Sequence, residues 1–269
     1  MRRLLNAAML SRDGDPWQFA IWVTALLATP SFLYAFGQIV KYTPLRSAPA
    51  VMMAPIIVID RLFFVVYAIV TAALLAALTW EALVPDRTDQ EIVGVLPVRP
   101  RTLAAARLAG ALGLILMFSA AVHLPTALIF ALIAAANPAV GAIPLVFAGH
   151  ALATIGAALA TFAALLIVRG IAAMVLSAAA ANALAGVLQV VSVAALIETL
   201  IYLPSVLPYL ARQMLLGATP AALRLPPVWF ASLYTLMSGP SRGTAAAAAA
   251  IGMAASGLTP ASVASPNRT

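Results

Sequence analysis

Long apolar runs separated by short polar breaks dominate the chain, and the runs have the length of a lipid bilayer. A helix that crosses the hydrocarbon needs about 20 mainly apolar residues. Five stretches meet that need, at 17–40, 62–83, 104–132, 145–168 and 184–203, and 244–258, nearly all alanine and glycine, is a weaker sixth. Short segments of alternating apolar and polar residues, the mark of a membrane β-barrel, are absent. The pattern predicts an all-α, polytopic membrane helical bundle of about six transmembrane helices.

The breaks between runs predict how the helices connect. Residues 1–16 carry Arg2 and Arg3 before an apolar patch that Ser11–Pro16 cuts short, which suits an interfacial amphipathic segment better than a secretory leader. Residues 41–61 mix Pro44, Pro49 and Pro55 with an apolar patch too short to cross, so they are placed on the outer surface. Asp60 and Arg61 then stand at the start of the second span, pairing or capping it. His123 and Pro125 mark the outer end of the third span. Asn137–Pro144 reads as a tight uncharged turn. The fourth span returns to Arg169 and Gly170, and 171–182 lies flat at the interface. Residues 204–243, with six prolines from Pro204 to Pro240, read as an irregular, partly re-entrant outer segment, and 259–269 as a tail.

Composition agrees with this pattern. Hydrophobic residues make up 64% of the 269 and charged residues 9%, and the mean hydropathy is +1.05, far above what a water-soluble core requires. The formal charge of +7 does not point to nucleic acid, because the arginines are scattered singly along loops. A cytoplasmic N-terminus puts Arg2, Arg3, Arg12, Arg87, Arg99, Arg101, Arg107 and Arg169 inside, as the positive-inside rule favours. The chain has no cysteine, which excludes disulfides and thiolate chemistry. Lys41 is the only lysine, so no phosphate-cradling loop of the G-x-x-x-x-G-K-[ST] type can form. His123 and His150 have no carboxylate at helical spacing, and each reads as a polar residue satisfied at a helix interface or near the membrane surface. Ala106 with Gly110, Ala109 with Gly113, and Gly156 with Ala160 are small-residue pairs of the kind that let membrane helices approach closely.

The densest polar segment is 80–107, WEALVPDRTDQEIVGVLPVRPRTLAAAR, with four arginines and four carboxylates. Pro85 and Asp86 look like a helix start, with Asp89 in its first turn, and Gly94 looks like its stop. Leu96–Pro100 must be extended, since each proline drives the residue before it out of the α region, and Thr102 can cap the next helix. Such a short helix would lie across two spans on stiff connectors. The same residues fit a solvated loop whose arginines fix orientation.

The string Trp80-Glu81, Leu83, Pro85-Asp86-Arg87, Asp89, Leu96-Pro97-Val98, Arg101 and Ala106-Arg107 resembles the cytoplasmic segment of bacterial ABC-2 type transporter permeases. Leu225–Tyr234, LPPVWFASLY, is similar to the proline-aromatic outer segment after the fifth span in some of them. The resemblance implies a permease of the bacterial cytoplasmic membrane, N-terminus inside, whose coupling segment 84–103 docks on a separate ABC ATPase subunit. That subunit would bind ATP and magnesium, with no cofactor in this chain. On the same footing Asp86, Arg87, Asp89, Glu91 and Arg99 would be contacts, and Leu96 and Pro97 would shape the linker. A second permease half, as a homodimer or a fused half, would complete the pathway. Arg107 stands where a lysine is common, and the weak sixth stretch suggests that the chain is truncated or represents one half of a larger transporter.

Glu198 is the one carboxylate inside the predicted fifth span. Its place five residues before Leu203 suggests an interfacial glutamate pairing with Arg212 or solvent, while a deeper position would put it, like His123, on a substrate path. Nothing resembles H-E-x-x-H or G-x-S-x-G, so hydrolytic chemistry has no residues to run on. Nearly charge-free walls suit a lipid-like or amphipathic cargo. An ion-gradient-driven transporter and a non-transporting membrane scaffold are the alternative functions.

Overall fold

A computed structural model of the chain describes residues 16–79, 99–138, 140–216 and 225–238, and all its regular structure is helical. The helices are α1 (Pro16–Tyr42), α2 (Ala50–Leu78), α3 (Pro100–Ala134), α4 (Ile143–Val175), α5 (Ala178–Leu216) and α6 (Pro226–Ser238). Five of them, α1 to α5, are long and apolar enough to cross a membrane. The predicted sixth stretch, 244–258, lies outside the described residues, as do the segments 1–15 and 259–269.

The bundle runs up and down. The α1–α2 and α3–α4 turns share one end, where the Asn137 side-chain amide donates to the carbonyls of Leu45 at 2.7 Å and Ala48 at 3.0 Å and so ties one turn to the other. Gly141 takes φ 123° in the second of these turns, a conformation that a residue without a Cβ adopts freely. At the opposite end α2 leads into residues 80–98 and α3 emerges from them.

Two apolar layers stack along the bundle. Near the polar segment, Tyr67, Leu74, Ile115, Phe118 and Phe162 pack together. Toward the turns, Met53, Leu62, Phe64, Phe130, Val146 and Tyr234 form the second and larger layer. α2 belongs to both, packed between α5, α4 and the short α6, while α1 lies mainly on α3. In lipid the water-driven hydrophobic effect between helices is absent, so close packing and polar contacts decide which faces meet.

Several boundaries depart from the sequence-based expectation. Residues 50–61 are the first three turns of α2 and not a surface segment, because Pro49 fixes the extended residue before the helix and the lone missing amide of Pro55 costs one bond near its end. α3 begins at Pro100 and not near Ala104, with Pro100 at its first position and Arg99, in extended conformation, as cap; Thr102 lies in the first turn and does not cap. The helix then continues through His123 and Pro125 to Ala134, so those two residues are interior positions and not its end. Residues 171–175 continue α4, and Arg169 is buried within that helix. Finally, 204–216 continue α5 through Pro204 and Pro208, and 226–238 form α6. Leu203, Leu207 and Ala211, at four-residue spacing, are buried in the core, and that packing holds the helix across its prolines.

Candidate functional site

The most polar part of the described interior is a chain of ionisable and aromatic groups at the turn end of the bundle. Its centre is Asp60, eleven residues into α2 and fully buried. The carboxylate is saturated. Oδ1 accepts the Tyr34 hydroxyl at 2.8 Å and the Lys41 ammonium at 2.7 Å, and Oδ2 accepts Lys41 at 2.9 Å and the Tyr42 hydroxyl at 2.8 Å. All three donors come from the last two and a half turns of α1. A charge with this many partners can leave water, where an unpaired one could not.

Lys41 reaches the pair from the rim, with its side chain 36% exposed. It is positioned by its place one residue before the end of α1, where a cation also faces the negative end of the helix dipole. The Tyr34 ring stacks on Phe63 at 3.6 Å between centroids, which holds its hydroxyl toward Asp60.

Arg61, next in sequence, points to the other side of α2. Its Nη1 donates to the Thr235 hydroxyl at 3.0 Å, and that hydroxyl donates in turn to the Ala231 carbonyl of α6 at 3.0 Å. The guanidinium carbon sits 4.2 Å from the centroid of the Tyr234 ring, a cation–π contact in a dry setting. The Tyr234 hydroxyl then lies 3.5 Å from His150 Nδ1. Burial raises the titration of that hydroxyl well above the usual tyrosine range, with Arg61 pulling the opposite way, so it stays protonated.

His150 of α4 is wrapped by Phe64 at 4.6 Å and Phe130 at 5.6 Å. His123 of α3 is equally buried. His123 Nδ1, His150 Nε2 and Ser119 Oγ are buried without a hydrogen-bond partner among the described residues. Five helices, α1, α2, α3, α4 and α6, thus contribute polar groups to one region of the core.

Gly149 makes room for this arrangement. A Cβ there would stand 2.8 Å from the Tyr234 ring, so only glycine lets that ring lie against α4. Gly156, two turns on, faces Phe230 at 3.5 Å, so this member of the small-residue pairs seats α6, whereas Gly110 and Gly113 face open space. Gly149→Val is expected to displace Tyr234 and cost about 1–3 kcal/mol, the usual range for overpacking. Thermal unfolding in detergent would show the loss, and an unchanged midpoint would mean that α6 can shift freely.

The sequence-predicted residues are distributed unevenly. Asp86, Arg87, Asp89, Glu91, Leu96 and Pro97 lie outside the described residues. Arg99 is exposed, and its carbonyl accepts the Thr102 and Leu103 amides at 2.9 and 3.2 Å. His123 is enclosed by the bundle. Glu198 is exposed near the middle of the 39-residue α5 and not near its end. Fourteen residues of one helix, about 21 Å, separate it from Arg212.

Asp60 and Arg61 were the signal for the cluster, since two charges inside a long apolar run mark a polar site; what hid it was the assignment of residues 50–61 to the surface. Among the described residues no group of three or more His, Asp or Glu side chains converges as a metal site would require. Comparison with protein-family models, with curated proteins and with solved structures finds no match to this chain.

Proposed function

We propose that the chain is the membrane-spanning permease subunit of an ATP-driven exporter, moving a lipid-like or amphipathic cargo when a separate ATPase subunit acts on residues 84–103. The resemblance of 80–107 to ABC-2 type permeases carries this reading. Its cytoplasmic N-terminus and its setting in a bacterial inner membrane belong to the same proposal.

The connectivity suits it. The segment 80–98 joins α2 directly to α3, so a displacement there acts on both helices. From Leu78 back to Asp60, α2 runs 18 residues, about 27 Å, nearly the thickness of the hydrocarbon. A push at one face of the membrane would arrive at the buried ionic cluster near the other. Rigid helices bearing on a packed cluster favour discrete rearrangement over continuous bending.

The charge reversals Asp86→Arg and Asp89→Arg together should lower co-purification with the ATPase by roughly tenfold or more, since like charges set against a complementary groove cost several kcal/mol. Membrane insertion should stay normal. Undiminished association would remove the proposal.

A second reading, transport driven by an ion gradient, is favoured by one observation: Asp60, Arg61 and His150 are ionisable groups buried inside the bundle, with Lys41 at its rim, as proton-coupled carriers require. Transport that survives ATP depletion but stops when a protonophore collapses the gradient would select it.

A further inference from the structure

His123 and His150 are the only histidines of the chain, and both are buried in the bundle. His150 of α4 turns Nδ1 toward the Tyr234 hydroxyl of α6. Its Nε2 lies on the other edge of the ring, away from that hydroxyl. On α3, Ser119 and His123 are one turn apart and so share a face. His150 Nε2, His123 Nδ1 and Ser119 Oγ are all buried with no hydrogen-bond partner among the described residues. They come from two helices that pack against each other.

Phe130 sets their spacing. Its ring lies 5.6 Å from that of His150, and His123 stands seven residues, about 10 Å, back along the same face of α3. The two histidines therefore occupy successive levels of the bundle. They form no direct bond, yet they are near enough for the charge state of one to be felt at the other.

A bridging water reaches polar atoms about 5–6 Å apart, and two in series reach further. An apolar occupant would leave all three atoms unsatisfied, which is costly in a dry interior. A metal ion is poorly served, because among the described residues no acidic side chain joins the two imidazoles as a third ligand. Donor chemistry then sets a direction. Arg61, against the Tyr234 ring, has donors only, so it leaves the hydroxyl hydrogen to His150 Nδ1. With Nδ1 an acceptor, Nε2 carries the hydrogen of a neutral imidazole and needs an acceptor in turn.

We propose that one or two ordered waters bind between α3 and α4, accepting from His150 Nε2–H and donating to His123 Nδ1 and Ser119 Oγ. Both histidines are then neutral tautomers with the hydrogen on Nε2. A line of hydrogen bonds runs from Tyr234 on α6 through α4 to α3, and it stops at Ser119. One turn further, Ile115 belongs with Phe118 and Phe162 to the apolar layer near the polar segment. The interior is thus wet toward the turns and sealed toward residues 80–98. This inference goes beyond both functional readings above and depends on neither.

The test is nitrogen-15 NMR of the full chain in lipid bilayers, labelled in histidine alone. Each ring should show an unprotonated Nδ1 and a protonated Nε2, and His150 Nε2–H should take up magnetisation from water. His123→Gln, which keeps an acceptor, should preserve that transfer, whereas His123→Phe should remove most of it. Ser119→Ala should lower the midpoint of thermal unfolding by about 2–4 °C, the effect of one hydrogen bond in a chain of this size. In a dry interior the same change would delete an unsatisfied hydroxyl and leave the midpoint unchanged or raised. That result, a hydrogen on His150 Nδ1, no transfer from water in the unmodified chain, or transfer that survives His123→Phe would each overturn the proposal. The unmodified chain decides tautomer and water contact even where a variant fails to fold.

Discussion

Asp60→Ala is expected to be among the most destabilising single substitutions in the chain, at about 3 kcal/mol, because it removes one carboxylate that satisfies three donors at once. For a protein of this size the midpoint of thermal unfolding in detergent should fall by about 6–12 °C. Tyr42 would be left as a buried hydroxyl without an acceptor, costing about 1–3 kcal/mol before relaxation, and Tyr34 as a half-buried one costing less. Lys41 contributes less to the loss, since its partly exposed ammonium can return to water.

The chemistry separates from mere packing in a double-mutant cycle. Lys41→Met alone leaves a buried carboxylate with two tyrosine donors, and Asp60→Asn alone leaves an ammonium facing a neutral amide. Together they should cost about 2 kcal/mol less than the sum of the two, as expected of groups that interact directly. Strict additivity would mean that Lys41 and Asp60 do not depend on each other for stability. The ion pair would then be incidental to how α1 docks on α2.

How much of this was legible beforehand can be told from particular residues. The all-helical bundle and the five helices long and apolar enough to cross a membrane follow from run length alone, since hydrocarbon thickness is a strong constraint that sequence meets openly. Boundaries were harder. A proline is a weak stop inside a bundle, because neighbouring helices hold the backbone in place; thus Pro55, Pro125, Pro204 and Pro208 all lie within helices that the sequence suggested they would end or bound.

That same misjudgement concealed the site. Once 50–61 is read as surface, Asp60 and Arg61 become ordinary interfacial charges, and their partners Tyr34, Lys41, Tyr42 and Thr235 cannot be found, because they come from other helices at separations of up to 174 residues. Glu198 lies nearer mid-helix than its sequence suggests for a related reason: Pro204 reads as a stop, yet the helix continues through it for another 12 residues.

Arg61→Ala is expected to release α6. That helix is only 13 residues long, too short to span a bilayer, so its position depends on side contacts with α2 and α4. Arg61 supplies two of them, the bond to Thr235 and the cation–π contact with Tyr234. Their loss should cost about 2–3 kcal/mol locally, a figure set by a charge-assisted hydrogen bond together with a desolvated cation–π contact.

A cysteine placed at Ala231, buried at 1% exposure, reports the opening. Its labelling by a maleimide should be on the order of tenfold or more faster in Arg61→Ala than with Arg61 present, because each 1.4 kcal/mol changes the open population tenfold. Arg61→Lys should fall between, since an ammonium keeps the charge but loses the planar fork and its stacking on the ring. Asp60→Ala should leave Ala231→Cys labelling nearer the native rate, because Asp60 bonds to α1 and Arg61 to α6, so the two neighbours hold separate helices onto α2. If labelling stays slow in Arg61→Ala, the apolar contacts of Val228, Ala231 and Tyr234 suffice to hold α6, and the buried arginine must be explained by something other than the docking of that helix.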